Sequence, residues 1–234
     1  MKTVGIIGGI GPESTVAYYR LINAAYLKRI TDGSYPKMII NSINLRTLLN
    51  LVEANDLAAV ADLMVAELER LDRAGVDFGV LSSNTPHLVF DEIQRRAPMP
   101  LISIVETARR FSLASGFHKL GLFGTRFTMQ ARLYADVFAR GEMTVISPAA
   151  IEQDYIHEKY MTEFLSGASL SETRARLLEI AARLKAEENI EALILGGTEL
   201  PMVLQPEDGE TINLPFVDTS QIHVNAIVEE MIAG

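Results

Sequence analysis

The stretch VLSSNTPH, residues 80 to 87, ends an apolar run on two hydroxyls, an amide, a proline and a histidine. A chain leaves a parallel sheet in this way where something binds, because a turn entering a helix presents backbone N–H groups and adds side-chain OH groups to them. Three more turns share the character: Gly8 to Thr15 in GGIGPEST, Gly124 to Thr128 in GTRFT, and Gly196 to Glu199 in GGTE. All four suit carboxylate or phosphate oxygens. For Ser14, Thr85, Thr128 and Thr198 taken singly, the competing reading is an ordinary helix N-cap. Ser83 and His87 stand four residues apart, on nearly the same face of the helix that the turn begins, a spacing at which a hydroxyl and a base can share a proton. Glu199 closes the last of these turns, where a helix start stabilises an acidic side chain.

Other chemistries fit less well. The chain has no cysteine, which removes disulfides, thiolate metal sites and thiol catalysis together. Its four histidines, His87, His118, His157 and His223, show no paired spacing, and no metal site is expected. Gly9-x-Gly11 begins a dinucleotide fingerprint, but its third position is Ser14, and the following run, KMIINSIN, ends at Asn44 without an acid for a ribose. The Walker pattern is absent as well. A net charge of −9, a pI near 5.0 and no basic cluster longer than Arg109-Arg110 argue against nucleic acid as a partner. The amino-terminal apolar run stops at glycines after six residues, too short for a signal-peptide core or a membrane span, so it reads as a first strand and the protein as cytoplasmic with no membrane partner.

These turns must be positioned by regular elements, and the pattern supplies them. TVGIIG, KMIINSI, DFGVLS, LISIV, KLGLFGT, EMTVIS, EALILGG and LPFVD are apolar on nearly every residue, as parallel strands covered on both faces should be. Helical segments alternate with them. Pro12 reads as the first residue of one helix. Over residues 55 to 74, Leu57, Val60, Ala61, Met64, Leu68 and Leu71 fall at three- and four-residue spacings and form one stripe. The predicted fold class is α/β, with doubly wound parallel sheets. VLSSNTPHL and LILGGTELP repeat one design about 110 residues apart, and GIIGGIGPEST pairs likewise with GLFGTRFTM. Two pseudo-symmetric lobes follow, residues 1–103 plus 214–234 and residues 104–213, with the binding turns on a cleft between them.

Five motifs, in order, then carry a resemblance that covers essentially the whole chain. GGIGPESTVAYY resembles the amino-terminal GG-x-GP-x-(A/S)T segment of the aspartate/glutamate racemase superfamily, and SNTPH its C-N-T-x-H motif. LFGTRFTM is similar to its L-x-GT-x-x-T turn, GGTEL to G-C-T-E, and FVDTSQIH to the terminal DT-x-x-x-H. The resemblance implies an isomerase of amino-acid metabolism that needs no pyridoxal phosphate or other cofactor, is a homodimer, and takes a small amino acid or dicarboxylate as substrate. It implies two cysteine thiols on opposite faces of the substrate's α-carbon, one removing a proton and the other delivering one. Carried over, the first thiol position is Ser83 and the second is Gly197. A serine hydroxyl has essentially no anion near neutral pH without a neighbouring base, whereas a thiol has a reference pKa of about 8.5; glycine has nothing to titrate. His87 and Glu199 are the candidate replacements. Gly11, Asn84, Thr85, Thr125, Thr128 and Thr198 are the implied substrate-binding residues, Arg46 the implied partner of a side-chain carboxylate, and Lys159 a further candidate cation. Two alternatives accompany the racemase reading: a one-sided lyase, isomerase or decarboxylase of the same superfamily, and a catalytically silent protein that binds small carboxylates.

Overall fold

Strands that are apolar on nearly every residue must be covered on both faces. The structure, a computed structural model that describes residues 1–168 and 170–233, meets that demand twice. β1 (Val4–Gly8) leads through α1 (Pro12–Leu27) to β2 (Met38–Ser42). α2 (Leu45–Glu53) and α3 (Leu57–Arg73) then return to β3 (Phe78–Leu81), and a 3-10 turn (Thr85–Val89) with α4 (Phe90–Arg96) leads on to β4 (Leu101–Ile102). All pairings are parallel and the order is β2-β1-β3-β4.

A second unit begins in α5 (Ile104–Ala114), whose first residue still belongs to the first unit. It continues through β5 (Lys119–Phe123), α6 (Arg126–Gln130), α7 (Leu133–Ala139), β6 (Thr144–Ile146), α8 (Ala150–Thr162) and α9 (Ser171–Glu188) to β7 (Ala192–Leu195). α10 (Leu200–Val203), α11 (Pro206–Thr211) and β8 (Phe216–Asp218) complete it. The order β6-β5-β7-β8, again all parallel, repeats the topology of the first sheet. The last helix, α12 (Thr219–Ile232), returns from Ser220 onward to the first unit.

The division between units differs from the sequence expectation at one strand. The sequence pattern places LPFVD with the carboxyl-terminal helix in the first lobe, but β8 pairs with β7 through Leu193↔Phe216 and Leu195↔Asp218. It is the fourth strand of the second sheet, as β4 is of the first, and only α12 crosses back. The units therefore divide after Ile104 and after Thr219. Ser169 and Gly234, which fall within the expected lobe ranges, lie outside the described residues.

The first unit's core shows why α12 returns. Val224, Ile227, Val228 and Met231 of α12 cluster with Tyr18, Ile22 and Tyr26 of α1 over Val4, Ile6, Phe78 and Val80 of the two central strands. The α3 stripe is buried from Val60 through Met64 and Leu68 to Leu71, with Leu57 only half-buried at the helix start. Each fully buried side chain of this size contributes roughly 2 kcal/mol. α2 is an element that the sequence pattern did not reveal. Its buried face is short, Leu48, Leu49 and Val52, and Asn55 in the left-handed region (φ 53) separates it from α3.

Two polar groups are sealed into this core with definite partners. The Tyr18 hydroxyl donates to Nδ1 of His223 (2.8 Å), and Nε2–H of His223 donates to the Ile102 carbonyl (3.0 Å). Burial holds the His223 pKa down at about 4. In the unfolded chain the ring titrates near 6.5, so the unfolded state takes up the proton first. The contribution of the neutral ring is fully present above about 6.5 and is lost as pH falls toward 4. Urea unfolding should show a loss of about 2 kcal/mol between pH 7 and pH 4.5 from this group. His223→Gln should be less stable at pH 7 yet depend less on pH across that interval; an unchanged slope would mean that another group titrates.

Candidate active site

In an open parallel sheet, ligands bind beyond the carboxyl ends of the strands, where the chain departs to opposite sides from adjacent strands. In the first sheet these adjacent strands are β1 and β3, aligned through Ile7↔Leu81; in the second they are β5 and β7, aligned through Phe123↔Leu195. The four turns singled out in the sequence are the turns that follow these four strands.

In the first unit the β1 turn folds back on its helix. The Gly9 N–H donates to Thr15 Oγ1 (2.8 Å), and that hydroxyl donates to the Gly11 carbonyl (3.2 Å). Gly9 has φ 77, and a Cβ there would stand 2.3 Å from the Ile43 carbonyl oxygen, so only glycine lets the turn approach the end of β2. Gly11 is buried and precedes α1, with Pro12 as the first helical residue and Ser14 inside the helix rather than at its cap. After β2, Asn44 caps α2 by accepting from the Arg46 N–H (2.9 Å), which leaves the Arg46 side chain exposed and without an ion pair among the described residues. After β3, both the N–H and the hydroxyl of Ser82 donate to the Ile7 carbonyl at 3.0 Å. This fixes the turn so that Ser83, Asn84 and Thr85 follow, all buried. Gly11, Arg46 and Ser83 thus share the carboxyl edge of one sheet.

His87 does not serve Ser83 as a base, which corrects the pairing expected from their spacing. Its Nδ1–H donates to the Ser83 carbonyl (2.9 Å), and its Nε2 accepts from the Ile104 N–H (3.3 Å). Both ring nitrogens are therefore committed to backbone. The ring stacks on Phe90 with 4.8 Å between centroids, and burial, reinforced by the His223 ring, lowers its pKa to about 3. A neutral ring held in this way braces the turn and ties it to the start of α5.

In the second unit the β5 turn is built by Thr125, which caps α6. Its Oγ1 accepts from the Thr128 N–H (3.3 Å) and lies 3.1 Å from Thr128 Oγ1. The cap is thus Thr125 rather than Thr128. The β7 turn runs alongside, with the Gly196 N–H donating to the Phe123 carbonyl (2.7 Å). Thr198 and Glu199 follow, and both are buried. Glu199 precedes α10, but its carboxylate does not cap that helix. Oε2 instead accepts from the hydroxyls of Thr198 (3.1 Å) and Tyr160. Lys159, the neighbour of Tyr160 on α8, forms an ion pair with Glu163 (2.9 Å), which raises its pKa through that hydrogen bond.

Tyr160 is the group that sequence reasoning missed. A Cβ built on Gly197 would stand 2.6 Å from both the hydroxyl and Cε2 of Tyr160, so the phenol fills the space that any side chain at position 197 would enter. Tyr160 is itself nearly inaccessible, with its ring edge-on to Phe164 at 5.7 Å between centroids. Burial, with the charge of Glu199 second, pushes its pKa well above 10. The available signal was Gly197 itself, since a missing side chain in a close-packed turn requires a filler from elsewhere. Among the described residues no group of His, Asp and Glu stands close enough to hold a metal ion, and no helix is long and apolar enough to cross a membrane. Gly197→Ala should lower the stability by about 2 kcal/mol through overpacking against Tyr160. The same change in a Tyr160→Ala background should cost almost nothing; equal costs in thermal unfolding of the two backgrounds would exclude the steric exchange.

Comparison with known proteins agrees with this fold. A sequence model described as Asp/Glu/Hydantoin racemase matches residues 7–227. The broad specificity amino-acid racemase RacX of Bacillus subtilis is 28% identical over 147 residues, 61% of this chain and 63% of RacX, so the match spans less than two thirds of that relative. The crystal structure of a candidate Asp/Glu racemase from Yersinia pestis superposes with a TM-score of 0.89 at 27% identity, over 99% of this chain and 100% of the other. An aspartate racemase homologue from Pyrococcus horikoshii gives a TM-score of 0.84 at 29% identity, over 99% of both chains. With the match running from the end of β1 into α12, the chain belongs to the Asp/Glu/Hydantoin racemase family.

Proposed function

We propose that this protein is a cofactor-independent enzyme that moves a proton at the α-carbon of a small amino acid or dicarboxylate, an isomerase by lineage. The observation that carries the reading is the pair of buried polar turns, Ser83-Asn84-Thr85 and Thr198-Glu199, at the departure points of two sheets with one topology. Buried hydroxyls and amides are retained at strand ends only where they have work or partners, because burying them costs free energy. RacX, a relative that acts on amino acids, supports the substrate class. A homodimer belongs to the same reading.

In this reading the N–H and OH donors of Gly11, Asn84, Thr85, Thr125, Thr128 and Thr198 hold the substrate's carboxylate and amine. They also stabilise the planar enediolate that forms when the α-proton leaves. Arg46 meets a second carboxylate. Ser83 occupies the first acid–base position, but His87 is committed to backbone on both nitrogens, so the serine acts as a hydrogen-bond donor to the enediolate rather than as a base. That observation favours the one-sided form of the chemistry, in which only one face of the α-carbon meets a base.

Proton NMR in D2O with both enantiomers of aspartate, glutamate and alanine tests the proposal. The α-proton signal of one enantiomer of a dicarboxylic amino acid should disappear faster than the other enantiomer accumulates. Binding without exchange for every compound would leave the protein a silent carboxylate binder. Arg46→Ala should weaken aspartate and glutamate binding about tenfold while leaving alanine unchanged, as isothermal titration would show.

A further inference from the structure

The second unit places a titratable side chain in the space for which Gly197 has none. At the end of β7 the chain provides an empty Cα, and α8 fills that position with the Tyr160 hydroxyl. Behind the hydroxyl lies a carboxylate, Glu199, which accepts the phenolic proton and a second hydrogen bond from Thr198. The Glu199 N–H also faces the phenolic oxygen at 3.4 Å. All of this is buried, at 4% exposure for Tyr160 and 2% for Glu199, beside the strand end where a ligand of an open sheet binds.

We propose that Tyr160 is a catalytic residue, with Glu199 as its proton relay, and that the phenol serves one face of the substrate's α-carbon. The inference rests on the function proposed above and names the group that performs it. In the resting state the phenol is protonated and Glu199 is the anion. When the α-C–H bond breaks, its proton bonds to Tyr160 Oη while the phenolic proton passes to Glu199 Oε2. The electron pair of the broken bond enters the substrate's carboxylate as an enediolate, so one negative charge moves from Glu199 to the substrate and nothing else is consumed. Reversal returns a proton to the same face. The high pKa of the phenol suits this exchange, because it remains a donor until the carboxylate takes its proton.

The test uses the full chain and three variants, with exchange of the α-proton of aspartate, glutamate and alanine in D2O as the activity. Ligand-induced shifts in melting temperature report binding. Tyr160→Phe removes the relay atom. Glu199→Gln keeps a side chain of the same shape, with an oxygen to accept from the phenol, but takes up no proton. Tyr160→Ala with Gly197→Cys replaces the phenol by a thiol in the space it vacates. The expected result is exchange by the unaltered protein that falls roughly 100-fold or more in Tyr160→Phe and in Glu199→Gln, with the binding shifts retained. Exchange that survives in Tyr160→Phe overturns the inference and leaves the proposed function standing. An inactive unaltered protein together with an active thiol variant also overturns it, since the pocket then works and the phenol does not. Absence of exchange in both removes the proposed function and the inference with it.

Discussion

Everything placed at the candidate site depends on the register of two parallel strand pairs. Ile7 lies opposite Leu81 and Phe123 opposite Leu195, so the first residues beyond the ladders are Ser82 in one unit and Gly196 in the other. Sliding either pair by one residue would exchange the faces of every side chain on the strand and put Ser83 or Gly197 on the wrong side of its turn. The structure resists such a slip at the ends of the ladders. Ser82 doubles its bond to the Ile7 carbonyl through its hydroxyl, and Gly196 continues the ladder onto the Phe123 carbonyl. A carbonyl at the end of a ladder would otherwise be left short of a donor, and meeting that requirement aligns the turns.

The two units answer similar local demands with different chemistry. The first packs a neutral imidazole under its turn and satisfies it with backbone groups on both sides. The second packs a phenol and a carboxylate together. Burying a carboxyl group is expensive, and hydrogen bonds from the hydroxyls of Tyr160 and Thr198 offset part of that cost for Glu199. The glycine at 197 and the tyrosine at 160 are a single packing decision, because the volume given up by one is occupied by the other. The oxygen thereby brought to the strand end belongs to a group with a reference pKa of about 10, against about 8.5 for a thiol. Its readiness to exchange a proton consequently depends on its neighbour more than on its own acidity.

Much of this was legible in the sequence, for reasons that can be named. Continuous apolar runs of strand length marked the eight strands found among the described residues, and repeated glycine and hydroxyl turns marked the repetition of one topology. Pro12 located the start of α1 to the residue, since its fixed φ and missing N–H suit that position. What stayed hidden depended on distance or brevity. α2 has one short buried face and is cut from α3 by a single left-handed asparagine. β8 is three residues long, and nothing local says which sheet will receive it. The spacing of Ser83 and His87 predicts proximity and a shared proton, but spacing does not reveal that both ring nitrogens are bonded to backbone. Tyr160 lies 39 residues before Glu199 on a separate helix, and only the three-dimensional packing joins them.

The path of α12 has a consequence for how the chain is made. The first unit is interrupted, because its strands are complete by Ile102 while the helix that shares its core follows the whole second unit. During synthesis the first sheet must leave the ribosome with Tyr18, Ile22 and Val4 lacking the residues of α12 that pack beside them. The second unit, by contrast, is one uninterrupted stretch, Val105–Thr219. The covalent order of the chain therefore differs from the order of its packing: the core of the first unit is complete only when a helix that follows the whole second unit docks beside α1.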